Sequence, residues 1–226
     1  QNRVNDLKKY FQNNKKNDLH KWMHYFDIYD ENFSKYRNKN ITILEIGVFK
    51  GGSLSMWQKY FGPKVKIIGI DINEYCKRFE QENIKIYIGD QSNINFLDNV
   101  LADIDKPDII IDDGGHSSNQ QITSFNYLYE HLNYGGTYLV EDTHTSYASS
   151  KKFHDRLDKL TFVEYAKVLS DELNDWYRIN SYKIYREPVN KANVSYWAKN
   201  IYKISFYNSI IAFEKRKNTI PFATIS

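Results

Sequence analysis

Ile43-Leu44-Glu45-Ile46-Gly47-Val48-Phe49-Lys50-Gly51-Gly52-Ser53 reads as a short apolar strand that runs into a glycine turn and then into a helix. Such a turn brings a ligand close to backbone amides at a helix N-terminus, so the stretch is a candidate nucleotide site. Its spacing is G-x-x-x-G-G, which departs from the G-x-G-x-x-G dinucleotide pattern. The acidic Glu45 just before the turn suits a ligand with an ammonium or ribose group and would repel a pyrophosphate. Ordinary turn chemistry is the alternative reading of these glycines.

Working outward, all ten glycines fall between Gly47 and Gly136. Glycine marks tight turns and close backbone approach, so a ligand belongs in this middle section, between a helical N-terminal segment and a glycine-free C-terminal third. Apolar, β-rich runs recur at Thr42 to Val48, Val65 to Asp71, Ile84 to Ile88, Asp108 to Asp112 and Thr137 to Glu141. Stretches between them, such as Ser53 to Phe61 and Gln120 to Leu132, carry apolar residues at helical spacing. This alternation predicts an α/β fold with a doubly wound parallel sheet. Ser150 to Trp176 reads as helical. Ile204 to Tyr207 and Ser209 to Glu214, joined at Asn208, read as a closing antiparallel hairpin. One domain over 41–226 with an N-terminal helical extension over 1–40 is the simplest division.

The strand ends carry the chemistry. Asp71 ends the second strand twenty positions after Gly51, the offset of an acid that accepts ribose hydroxyls. Gly89-Asp90-Gln91 ends the third. Any one of these acids alone reads as a cap or turn residue, but together they favour an adenosine-type site at the carboxyl edge of the sheet. The fourth strand ends Ile111-Asp112-Asp113-Gly114-Gly115-His116-Ser117 and the fifth Val140-Glu141-Asp142-Thr143-His144. Consecutive acids after apolar strands repel one another unless a cation or protons neutralise them. Asp113, Glu141 and Asp142 on neighbouring strands converge on one point, and three carboxylates without a thiolate suit a hard cation such as Mg²⁺. His116 at the rim is a candidate general base, or else a cap of the following helix. Asp112, on the opposite side of its strand from Asp113, is assigned to the cofactor. His144 is a loop residue or a neighbour of the ligands.

Composition narrows the classes. The chain has 226 residues, 41% hydrophobic and 16% aromatic, enough for a sizeable core. No apolar run approaches the roughly 18 to 20 residues of a membrane span. The polar, Asn/Lys-rich start has no signal-peptide core, which predicts a cytoplasmic protein without membrane partners. The single Cys76 excludes an internal disulfide. With 31 basic and 28 acidic residues for a net +3, no basic stripe points to nucleic acid.

These motifs resemble the class I S-adenosylmethionine-dependent methyltransferases, and more closely the metal-dependent sugar O-methyltransferases of macrolide pathways (mycinamicin and tylosin type) with the related cephalosporin hydroxylase family. The resemblance rests on Leu44 to Leu54 with Met56-Trp57, Gly89-Asp90-Gln91, Ile111 to Ser117, Gly135 to Asp142, Phe206-Tyr207-Asn208-Ser209 and Phe213-Glu214-Lys215-Arg216. It implies a Rossmann-like seven-stranded sheet. It further implies that Glu45 and Gly47 contact the methionine part of S-adenosylmethionine, with Ser53 on the same cofactor side. Asp71 would hold the ribose and Asp90 with Gln91 would border the adenine. Asp113, Glu141 and Asp142 take the positions of the Mg²⁺ ligands, and His116 that of the base. His20 to Phe26 resembles the family's helix before the sheet, making His24 and Tyr25 candidate cofactor or substrate contacts; core packing is the alternative. An oligomer, here a homo-oligomer, is also implied.

The expected reaction is methyl transfer to a sugar hydroxyl. Trp176 to Trp197, with Arg178, Lys183 and Arg186, suggests a base, sugar face or diphosphate as ligand, hence a nucleotide-activated or surface-polysaccharide (capsule-type) sugar; a solvated surface segment with its aromatics turned into the core is the alternative reading of the same stretch. The alternatives are another vicinal diol, such as a catechol or natural product, and a catalytically silent cofactor-binding subunit.

Overall fold

The computed structural model describes residues 5–15, 18–150, 153, 160–178 and 194–221. Strands β1 (Thr42–Ile46), β2 (Lys66–Asp71), β3 (Ile84–Ile88), β4 (Ile109–Asp112) and β5 (Thr137–Val140) run parallel, and β6 (Ile201–Phe206) with β7 (Ile211–Lys215) forms the antiparallel hairpin. The order is β3-β2-β1-β4-β5-β7-β6, so β7 inserts between β5 and β6. The expected seven-stranded, doubly wound sheet with a closing hairpin is therefore present, and each parallel strand starts and ends within two residues of the apolar run that predicts it.

The two faces follow from strand periodicity. Ile43, Ile109, Ile111 and Leu139 point to one layer, with α1 (Asp6–Asn13), α2 (Tyr25–Phe33) and α3 (Gly52–Phe61). Leu44, Ile46, Ile110, Tyr138 and Val140 point to the other, with α4 (Ile94–Ala102), α5 (Ser118–His131) and α6 (Phe162–Glu172). Leu7, Phe26, Tyr29 and Phe33 share the core of Trp57 and Phe61, so α1 and α2 pack directly on the sheet layer. Helix α5 opens on a reciprocal capping box of Ser117 and Gln120, which fixes where the Gly114-Gly115-His116 loop ends. The short α7 (Asp175–Arg178) and α8 (Tyr196–Asn200) follow α6.

Trp176 and Trp197, at the ends of the segment read as a substrate region, turn inward. Trp176 is buried with Val194 and Ala198, and Trp197 stacks on Phe125 with 5.6 Å between ring centres. Lys183 and Arg186 lie outside the described residues, as does most of 151–159 within the stretch read as helical. Among the described residues, no helix is long and apolar enough to cross a membrane.

Candidate active site

A cleft of about 600 Å³ opens at the carboxyl ends of the parallel strands, a size suited to a small-molecule ligand. Its lining includes Gly47, Asp71, Gln91, Asp113, His116 and Asp142. At Gly47, with φ +94°, a Cβ would lie 1.9 Å from the Asp113 carbonyl oxygen, so the turn after β1 and the loop after β4 touch only because this residue is glycine. Asp71 is held by its neighbours: Oδ2 accepts from the Val48 and Phe49 amides at 2.9 and 3.0 Å, and Oδ1 from Asn73. A larger open groove of about 1660 Å³ lies beside α1, α3 and the β2–β3 turn, but none of the candidate residues lines it.

Strand parity sorts the other acids. Glu45 shares the face of Ile43 and is fully buried, accepting from Ser53 Oγ at 2.8 Å and Trp57 Nε1 at 2.9 Å. Burial pushes its carboxyl up to about 7 against the pull of Lys21 and these two donors. Asp112 faces the α5 layer, where Gln91 Nε2 and Ser124 Oγ donate to it at 3.0 and 2.8 Å. It meets the cleft wall through Gln91, whose Oε1 also accepts from the Gly115 amide, and through the Gly114 amide, which donates to its Oδ1 at 3.3 Å. Asp90 accepts from the Ser92 amide and hydroxyl, as a turn residue does. Glu45, Ser53, Asp90 and Asp112 therefore stand behind the cleft wall rather than on it.

Of the remaining acids, Asp113 and Asp142 line the cleft, and the buried Glu141 stands behind them. Asp112 pairs with Val140 in the ladder, so Asp113 and Glu141 sit one step beyond on the same face, as like charges side by side. Lys21, absent from the sequence-based candidates, lies between them: its Nζ donates to Asp113 Oδ2 at 2.6 Å and to Glu141 Oε2 at 2.7 Å, with only 3% of the side chain exposed. Tyr29 donates to Glu141 Oε1 at 2.7 Å and Tyr25 to Asp142 Oδ1 at 2.6 Å. Burial, with the adjoining carboxylates, pushes both phenols upward and keeps them donors. Burial also pushes Glu141 upward, with Asp113 adding to it, while the Lys21 ammonium and the Tyr29 hydroxyl favour its charged form. Burial alone would lower Lys21, but Asp113, Glu141 and Glu45 outweigh it and hold the lysine above its ordinary value. The lysine keeps the shared proton, since its ammonium meets two carboxylates.

Asp113 Oδ1 and Asp142 Oδ2 are left facing His116 Nε2 at 3.9 and 3.5 Å. One donor atom each from Asp113, His116 and Asp142 lies within 4.8 Å of the others, a set of two carboxylates and an imidazole that fits a divalent cation. Phe49, His116 and Asp142 all line the cleft with left-handed backbones. His144 Nδ1 lies 2.6 Å from Ser209 Oγ and His24 Nε2 3.0 Å from the Asn208 carbonyl, so both rings are tied to the turn between β6 and β7, and neither lines the cleft.

No protein-family model matches the chain. It is 38% identical over 134 residues to mycinamicin VI 2''-O-methyltransferase of Micromonospora griseorubida, a match covering 56% of this chain and 33% of the relative. It is 36% identical over 159 residues to an 8-demethyl-8-alpha-L-rhamnosyl tetracenomycin-C 2'-O-methyltransferase of Streptomyces olivaceus, covering 66% and 41%. The solved MycE methyltransferase of the mycinamycin pathway, in complex with Mg, SAH and mycinamycin VI, superposes with a TM-score of 0.74 at 28% identity, over 94% of this chain and 53% of that one. The chain is thus similar in sequence and fold to S-adenosylmethionine-dependent sugar O-methyltransferases. It spans about half of the solved relative and less of the two curated ones.

Within this chain, sequence motifs mark the strand-end residues, whereas Lys21 and Tyr29 carry no such signal. Both belong to the segment before the sheet and reach the site only through tertiary packing, across 92 and 112 positions of chain to Asp113 and Glu141.

Proposed function

We propose that residues 41–226, with the helical extension 1–40, form an O-methyltransferase that moves the methyl group of S-adenosylmethionine to a sugar hydroxyl in the presence of Mg²⁺. One observation carries the reading: a single cleft joins the Gly47–Asp71–Gln91 wall, suited to an adenosyl and methionyl ligand, to the Asp113–His116–Asp142 cluster. Donor and acceptor chemistry thus share one cavity.

In this reading, Gly47 and Asp71 orient the donor, Gln91 closes the adenine end, and Glu45 with Ser53 and Asp112 hold that wall from behind. Asp113, Glu141 and Asp142 hold the cation, whose role when bound is to orient vicinal hydroxyls and make one more acidic. His116 Nε2 takes the hydroxyl proton as the C–S bond breaks and the O–CH₃ bond forms, leaving a neutral thioether. Its Nε2 faces the carboxylates, while the other nitrogen, Nδ1, is buried with no hydrogen-bond partner among the described residues.

The finer proposal is a nucleotide-activated or surface-polysaccharide sugar as acceptor, in a cytoplasmic homo-oligomer of polysaccharide biosynthesis; it draws on the basic, aromatic 176–197 sequence and the family resemblance. The test is a methyl-transfer assay with Mg²⁺ or EDTA on nucleotide sugars, antibiotic glycosides and a catechol, alongside titration of S-adenosylmethionine and light scattering. Mg²⁺-dependent transfer to nucleotide sugars is expected. Transfer to the catechol alone would move the assignment to another diol, and cofactor binding with no transfer would support a silent subunit.

A further inference from the structure

The Asp113–Glu141 pair is already spanned by a cation of the chain itself. Lys21 Nζ bonds one oxygen of each acid at 2.6 and 2.7 Å in a setting that is almost closed to solvent. Lys21 belongs to an irregular strap, residues 18–24, that runs beside the cleft; His20 lines the cleft directly. The strap crosses the start of α3 so closely that a Cβ on Gly52 would lie 2.4 Å from the Asp18 carbonyl oxygen. Its other polar ties are weak: Asp18 pairs with Lys50 between exposed side chains, and His24 meets the Asn208 carbonyl at an exposed site. The Lys21 bridge is the buried one.

We propose that Lys21 and a divalent cation are alternative occupants of the Asp113–Glu141 pair, so that ion binding expels the lysine ammonium and frees the 18–24 strap. The inference rests on the metal-site reading above. Two like charges facing each other one step beyond the ladder need a cation whether or not a metal is present, and the lysine meets that need before metal arrives. A hard cation held by Asp113 and Glu141 together draws on the two acids that the ammonium bridges, and the two positive charges repel at that separation. Metal affinity is then set lower than three carboxylates alone would give, because each ion must outcompete an intramolecular rival.

Two measurements test this, with Mn²⁺ as the probe and no S-adenosylmethionine present. Titration followed by electron paramagnetic resonance is expected to show at least tenfold tighter Mn²⁺ binding in Lys21→Met than in the native chain. Trypsin cleavage of the native chain after Lys21, mapped by mass spectrometry, is expected to run at least tenfold faster with saturating Mn²⁺ than with EDTA. Equal or weaker binding in Lys21→Met, or a Lys21 bond that Mn²⁺ leaves unchanged or protects, overturns displacement and makes the lysine a fixed support of the occupied site. If the variant does not fold, the cleavage experiment decides alone. Failure of Mn²⁺ to bind either protein overturns the metal-site reading itself, and the displacement with it.

Discussion

His116 sits at φ +59° with Nδ1 buried and unpartnered among the described residues, two costs that a residue serving only to cap a helix would not need to carry. The helix beyond it is already capped by Ser117. What the conformation achieves is the direction of Nε2, toward Asp113 and Asp142 and into the cleft. A single Nε2 lone pair serves a proton or a metal, not both at once, and the two roles separate experimentally. His116→Ala is expected to lower kcat at least about 100-fold, the usual loss for a general base, while Mn²⁺ and S-adenosylmethionine affinities stay within about threefold. A tenfold loss of Mn²⁺ affinity would make His116 a ligand instead.

At the scale of elements, strand periodicity decides what each acid can do. The sequence displays the parallel strands plainly, because runs such as Ile109 to Ile111 are apolar, β-branched and end in Gly or Asp. It also marks Asp113, His116 and Asp142, since acids directly after buried strands demand an explanation. It does not display the insertion of β7 between β5 and β6, which depends on long-range pairing, nor Lys21, an ordinary lysine until the chain folds. Lys215 is a second such case: from β7 its buried Nζ donates to the carbonyls of Tyr129, Glu130 and Leu132 at 2.8 to 2.9 Å, closing the C-terminus of α5. That ammonium joins hairpin to helix and meets the negative end of the helix dipole. Lys215→Met leaves three carbonyls short of a donor and is expected to cost about 2 to 3 kcal/mol in urea unfolding with an unchanged slope. S-adenosylmethionine affinity should be preserved, because the contact lies away from the cleft lining.

Over the whole molecule, the cleft draws a cost from global stability, since buried acids stand behind its floor in the same core that holds the sheet to α2 and α3. Glu45 illustrates the consequence: burial lifts its carboxyl from an ordinary 4.5 to about 7. Between those values the folded chain keeps a proton that the unfolded chain has released, so folding stability falls as pH rises through the window and levels off above it. The size is about 3 kcal/mol for a shift of this magnitude. Glu45→Gln removes the titration but also forfeits one acceptor for Ser53 Oγ or Trp57 Nε1, so its absolute stability is not the informative quantity. The informative quantity is the difference in unfolding free energy, native minus variant, measured in urea from pH 4.5 to 8. That difference is expected to decline by about 3 kcal/mol up to pH ~7 and then stay flat. Glu141 titrates in both proteins and cancels. A flat difference across the whole range would mean that the Lys21 ammonium and the two hydrogen-bond donors keep Glu45 ionised throughout, and that its burial is fully compensated in the native fold.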